Sequence, residues 1–213
     1  MFSLSPRLAA VARMIPRGAA LADIGSDHAY LPIYMIMNEA VASAIASDIS
    51  AACIARAKAN AAAYSVADRI TFRQADGLSG ISPDECDTIV LAGMGGETMG
   101  AILDTTLWAL DKRLLLQPAS RAPFLRRYLY AHGCTIGEEC IVLDAGRLYP
   151  VLSATKGAPP EGELYEYASP ALLGRVADPQ VRTYLERTAA LLAKEVGHDH
   201  RELIAALVAA ISI

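Results

Sequence analysis

Leu4, Leu8, Val11 and Ile15 recur at helical spacing around Pro6, a residue suited to a first turn. They predict a helix over 5–15 that Pro16 and Gly18 end. From there short apolar runs alternate with longer helical stretches. Residues 20–24 read as a buried strand, and 29–40 as a helix that tolerates Pro32 only in its first turn. A second strand covers 42–49 and contains Asp48; an alanine-rich helix covers 51–64. Strands at 69–74, 87–93 and 112–117 follow, with helices from about residue 97 and over 121–132. Two last runs, CTIGEECIVLD and RLYPVLSATK, flank Ala145-Gly146 and predict an antiparallel hairpin.

Strands that alternate with helices imply a parallel sheet with right-handed crossovers, and the hairpin implies one antiparallel edge strand. The expected fold is α/β: a doubly wound, Rossmann-like sheet over residues 1–156 with helices on both faces. Residues 157–213 form a second unit. GAPPEGE at 157–163 reads as a linker. Val181, Leu185, Thr188, Leu192 and Val196 then make one stripe, and Leu203, Leu207 and Ile211 another, with Ile204 and Val208 beside it. They predict a helical hairpin turning at Gly197.

Composition narrows the picture in three places. With 54% hydrophobic and 20% charged residues the chain has an ordinary globular core, which excludes a disordered polypeptide. No apolar run reaches membrane-spanning length, and Pro6 and Arg7 arrive too early for a secretory leader, so a cytoplasmic protein is expected. Cys53, Cys86, Cys134 and Cys140 form no CxxC pair, which argues for free thiols and against a metal. HDH at 198–200 has a metal-like look but reads as a solvated turn.

The net charge of −4 does not advertise a nucleic-acid binder, yet charge is unevenly placed. Residues 112–132 contain Lys112, Arg113, Arg121, Arg126 and Arg127 and no acid; Arg7, Arg13 and Arg17 lie on or just after the first helix. These are candidate phosphate contacts, Arg7, Arg121, Arg126 and Arg127 foremost. Beyond residue 156 the balance is −3, so that segment is a poor electrostatic clamp for RNA and suits recognition by shape.

In an open parallel sheet, ligands bind beyond the carboxyl ends of the strands. That rule selects 25–30 after the first strand, with Gly25, Ser26, Asp27 and His28, then Asp48-Ile49 at the end of the second, Asp76-Gly77 after the third, and Gly93-Met94-Gly95-Gly96 after the fourth; Asp23, within the first strand, joins the candidate cofactor contacts. A pyrophosphate needs bare backbone N–H groups, and Asp27 would repel it. S-adenosylmethionine carries a cationic amine and sulfonium, which an acid favours. Asp48 suits the ribose hydroxyls and Asp76 the adenine amino group. Each acid alone is equally well read as a turn or N-cap residue; in register they favour a nucleoside ligand.

ADIGSDHAYLPIY, AGMGG and LLLQP resemble the signature segments of the bacterial tRNA (adenine-22-N1)-methyltransferases, the TrmK type. The resemblance runs from the SPRLAAVARMIP leader through the sheet to a helical extension. It departs at Ala119, where the family usually has Asn, and at Tyr149-Pro150, where it has a Tyr-Glu pair. The resemblance implies a seven-stranded methyltransferase domain using S-adenosylmethionine, with tRNA as partner and a monomer or weak homodimer as assembly. Adenine N1 already has a lone pair, so the enzyme must position the base and stabilise a cationic product. Asp27 is the expected catalytic acid and Tyr30 the residue that contacts the base. His28 orients Asp27 or meets the methionine tail. Gly95, Gly96, Gln117 and Pro118 are expected at the substrate, with free N–H groups across Gly93–Gly96.

Three other readings stay open: a small-molecule methyltransferase, a silent nucleoside- or RNA-binding module, and, more distantly, a dinucleotide dehydrogenase that lacks its second and third glycines. An enclosed pocket over Asp27 marks the first; an open one with a basic rim marks RNA.

Overall fold

The computed structural model describes residues 3–195 and 199–212 of the 213-residue chain. Seven strands form one sheet: β1 (Leu21–Ile24), β2 (Ala44–Asp48), β3 (Ile70–Gln74), β4 (Thr88–Ala92), β5 (Arg113–Gln117), β6 (Cys134–Asp144) and β7 (Arg147–Lys156). Their order is β3-β2-β1-β4-β5-β7-β6. The first five are parallel, and β7 runs antiparallel to both its neighbours.

The expected antiparallel edge strand is therefore corrected: β7 is internal and β6 is the edge. Ala145 and Gly146 take positive φ of 47° and 76°, a tight turn that sends the chain back beside β6. The returning strand buries Pro150–Ala154 and docks Leu114 opposite Ala154. β6 instead carries Gly137, Glu138 and a register shift between Ile136 and Glu138, features suited to an edge.

Two apolar layers cover the sheet. One side takes α1 (Pro6–Met14), α2 (Tyr30–Met37) and α3 (Ala51–Ala63), packed through Val11, Leu31, Ile33, Ala57 and Ala61. The other takes α4 (Gly96–Asp104) and α5 (Ala122–Ala131), through Met99, Leu103, Leu125 and Leu129. Ser5 caps α1, its Oγ accepting from the Leu8 N–H, and Pro6 opens the first turn. Pro32 lies in the first turn of α2, where its missing N–H costs no helical bond.

After β7 come two short helices, α6 (Leu164–Tyr167) and α7 (Pro170–Leu173), then α8 (Pro179–Leu192) and α9 (Arg201–Ile211). Leu172, Val181, Leu185, Leu207 and Ile211 build a third apolar cluster on Ile141 of β6. Each of the first two helices is a single turn, too short to leave a periodic pattern. Val196, Gly197 and His198, where the hairpin turn was expected, lie outside the described residues. Beside them Asp199 pairs with Arg201 and His200 with Glu195, at 2.6 and 3.0 Å.

Candidate active site

The loop from β1 to α2 is held in an unusual shape. Gly25, Asp27 and Ala29 all take positive φ, at 69°, 44° and 55°. For Asp27 and Ala29 this conformation costs about 1–3 kcal/mol each and persists only where surroundings over-determine it. Those surroundings are visible. The Gly25 and Ser26 N–H groups both donate to the Ser47 carbonyl, at 2.8 and 2.9 Å. The Asp27 N–H donates to Asp48 Oδ2 at 3.2 Å, while Asp48 Oδ1 accepts from the Ser50 N–H at 2.9 Å. Asn60 Nδ2, from α3, donates to the His28 carbonyl at 3.0 Å.

The Asp27 carboxylate points outward. Oδ1 accepts from Arg56 Nη2 at 2.9 Å, Oδ2 lies 3.3 Å from His28 Nε2, and the side chain is 49% exposed. The Arg56 hydrogen bond holds this carboxyl below the usual carboxylate range. His28 in turn stacks on Tyr30, with centroids 5.2 Å apart and planes 14° from parallel.

Asp23 is the opposite case. It is buried, and Oδ2 accepts from Ser26 Oγ at 2.6 Å. Burial pushes its pKa up to about 7; the Ser26 hydrogen bond opposes this and the Asp48 charge adds to it.

These groups line a cleft of about 200 Å³ over the carboxyl ends of β1, β4 and β5. Its walls include Asp23, Gly25, Asp27, His28, Tyr30 and Gly93, with Ser5, Arg7 and Leu8 of the leader segment closing one side. Ile49, beyond β2, exposes 65% of its surface at the same sheet edge. Asp76 and Gly77 follow β3 there, Gly77 at a φ of 54° and backed by Ile102. A Cβ on Gly25 would meet Met94 Cε at 2.1 Å, and Gly93, at a φ of 79°, faces open space.

Several expectations need correction. Arg126 is fully buried, its guanidinium 2.5 Å from the equally buried Glu139, so it is not a phosphate contact. Its neighbour Arg127 is 59% exposed and sits 3.4 Å from Glu166. In a helix whose face alternates every few residues, adjacent arginines point to different environments. Gly96 does not open space for a substrate: a Cβ there would lie 2.4 Å from the Arg121 carbonyl, so this glycine serves close packing. Nor are the glycine N–H groups free throughout. Gly93 donates to the Gln117 backbone carbonyl and Oε1, and Gly96 to the Ser120 carbonyl.

The other expected substrate residues divide between two places. Gln117 is buried in the cleft, its amide spent on Gly93 and the Pro118 carbonyl. Pro118 and Arg121 line a neighbouring groove, with Arg121 70% exposed at a φ of 58°. Arg7 stands between the two, its Nε 2.6 Å from Asp144 and its guanidinium over the Tyr149 ring at 4.6 Å.

Arg56 and Asn60 escaped the sequence reading. They lie four residues apart in an alanine-rich helix, hence on one face, and that spacing was the available signal. Among the described residues no group of three or more histidines, cysteines and acids could hold a metal ion, and no helix is long and apolar enough to cross a membrane.

A family model described as a methyltransferase domain matches residues 4–152. The tRNA (adenine(22)-N(1))-methyltransferase of Bacillus subtilis is 41% identical over 156 residues, 72% of this chain and 66% of that relative, so the alignment spans just under two thirds of it. A Streptococcus pneumoniae structure described as a putative tRNA (m1A22) methyltransferase in complex with S-adenosyl-L-methionine is 31% identical. It superposes with a TM-score of 0.85 over 99% of this chain and 98% of its own. The Bacillus subtilis m1A22 tRNA methyltransferase structure is 29% identical, with a TM-score of 0.79 over 100% of this chain and 97% of its own.

Proposed function

Because the chain belongs to the methyltransferase family that includes the bacterial tRNA (adenine(22)-N(1))-methyltransferases, we propose that it methylates N1 of an adenine in tRNA, adenine 22 by likeness to those relatives. The observation that carries this reading is the outward, half-exposed Asp27 carboxylate, held ionised by Arg56 at the mouth of an open cleft.

The residues present fit S-adenosylmethionine. Asp23 is a buried acid whose described hydrogen-bond partner is a single hydroxyl, a setting that calls for a cation. Asp48, fixed by two backbone N–H groups, is placed for ribose hydroxyls, and Ile49 offers an apolar surface beside it. Asp76 lies along the same edge for the adenine amine, and Gly93 leaves room for close approach. The cofactor, when bound, supplies an electrophilic methyl group on a cationic sulfonium.

The chain's own work is then positioning and charge. Adenine N1 attacks through its lone pair and needs no base beforehand. Tyr30, stacked on His28, gives the cleft a flat wall against which an extruded base can lie. Asp27 faces the cationic purine that forms and stabilises it electrostatically. A carboxyl whose pKa is held low is a weak proton acceptor, so this role outweighs removal of a proton from the exocyclic amine. The half-exposure of Asp27 and the nearby Arg7 and Arg56 suit a polyanionic macromolecule better than an enclosed small molecule. Residues 157–213 we read as an extension appended to this domain.

The test is to incubate unmodified tRNAs with the protein and labelled S-adenosylmethionine, then map the modified position. Label at adenine N1 supports the reading. Label confined to small molecules, or none with any tRNA, overturns it.

A further inference from the structure

Next to the cleft, separated from it by the Gln117–Pro118 segment, lies a groove of about 260 Å³. One wall is the methyltransferase domain: Pro118 and Arg121 between β5 and α5, and Tyr149 of β7. The other is the C-terminal segment, including Tyr167, Thr188 and Leu191. Leu191 leaves 66% of its surface exposed, an apolar side chain that the groove makes available.

Three observations bear on its occupant. First, the groove continues the proposed site. Arg7 lines the cleft and also lies over the ring of Tyr149, which lines the groove. Second, the generic methyltransferase match stops at residue 152, whereas the structural relatives described as tRNA m1A22 enzymes superpose over 99–100% of the chain. What those relatives share beyond methyl transfer includes the segment forming the second wall. Third, the chemistry is divided between the walls. The C-terminal wall adds aromatic and aliphatic surface and one acid, Glu195, while the cation that lines the groove, Arg121, stands on the opposite wall.

Extruding a base deprives its neighbour of a stacking partner, and proteins that read unpaired RNA restore that stacking with aromatic side chains. We propose that this groove seats the nucleotide flanking the methylated adenosine in tRNA, its base against Tyr167 and Leu191 and its phosphate toward Arg121. The proposal rests on the tRNA reading above and names the surface that takes the substrate beyond the target base.

The test measures tRNA affinity, S-adenosylmethionine affinity and single-turnover methylation for the full-length protein and three variants. Tyr167→Ala should weaken tRNA binding about 5- to 100-fold, the range for losing one base–aromatic stack. Tyr167→Phe should stay within about twofold. Leu191→Ala, at a site too exposed to matter for folding, should weaken tRNA binding at least about threefold. Cofactor affinity should not change in any of them. Wild-type tRNA affinity in both Tyr167→Ala and Leu191→Ala overturns the proposal, as does weakening by Tyr167→Phe equal to that by Tyr167→Ala. A wild-type protein that methylates tRNA while these variants bind normally sinks the groove alone. One that methylates no tRNA sinks the functional reading itself.

Discussion

Arg56 Nη2 lies 2.9 Å from Asp27 Oδ1, across 29 residues of sequence, and each side chain is about half exposed. A pair so accessible to water adds little to stability. Its consequence is aim: the carboxylate is fixed at the cleft mouth and kept charged. Asp27→Asn preserves the shape and removes the charge. It should leave cofactor and tRNA binding within several-fold and slow single-turnover methyl transfer about 10²-fold or more. A near-normal rate eliminates Asp27 as the stabilising group. Loss of cofactor affinity alone would reassign it to the methionine ammonium.

Removing the partner tests the aim separately. Arg56→Ala should raise the Asp27 pKa toward its ordinary value of about 3.9, followed by carboxyl carbon NMR, because the hydrogen bond that depresses it is gone. The methylation rate should fall with little change in melting temperature, and Arg56→Lys should recover part of it. If Arg56→Ala leaves both the Asp27 titration and the rate unchanged, the pair has no part in positioning.

Much of this site was legible in the sequence because the strands are short apolar runs and every candidate loop follows a strand end. Gly25, Asp27 and Gly93 needed only that rule. Arg56 was not legible from it, since it reaches Asp27 from a helix on another part of the chain. Arg126 and Arg127 look identical in sequence, and only the rotation of α5 decides that one is buried against Glu139 and the other faces water. The strand order around the hairpin failed for a similar reason. Turn chemistry fixes that β6 and β7 pair, but which of them meets β5 depends on which can be buried on both sides.

Arg126 and Glu139 make a prediction about stability. Both are fully buried, and Arg126 also donates to the Glu166 carbonyl at 3.1 Å and lies 3.5 Å from the Tyr184 hydroxyl. Glu139→Gln leaves an uncompensated buried cation and should cost about 3–5 kcal/mol in urea unfolding. Arg126→Met with Glu139→Leu should recover most of that loss. Because the guanidinium ties α5 to the segment after residue 157, the single variant should also be cleaved faster there in limited proteolysis. A single variant as stable as the parent would show that water reaches the pair.

Salt dependence separates the surface arginines from the buried one. Arg121 and Arg127 are 70% and 59% exposed and paired only loosely, at 3.6 and 3.4 Å. If both contact phosphates, replacing both with alanine should lower the slope of log affinity for tRNA against log salt by at most about 2, one for each lost contact. Arg126→Ala should act instead by destabilising the fold. An unchanged slope in the double variant would mean that Arg121 and Arg127 face away from the RNA.

Asp23 links pH to both folding and ligand binding. Its folded pKa is raised to about 7 by burial, above the unfolded value of about 3.9. A carboxyl shifted upward contributes stability that is fully present below the unfolded pKa and is lost as pH rises through the folded one. The free protein should therefore lose melting temperature between about pH 5 and 8, and Asp23→Asn should flatten that decline. A cation bound beside the carboxylate reverses the balance, because it favours the ionised form. S-adenosylhomocysteine, which keeps the ammonium group, should bind more tightly as pH rises through about 7. At pH 6 its binding should release a proton, seen in calorimetry as a heat that depends on the buffer's ionisation enthalpy. Asp23→Asn should bind more weakly and release none. Proton release undiminished in Asp23→Asn would place the titrating group elsewhere, and affinity that is flat from pH 5.5 to 8 would mean that Asp23 does not meet the ligand's cation.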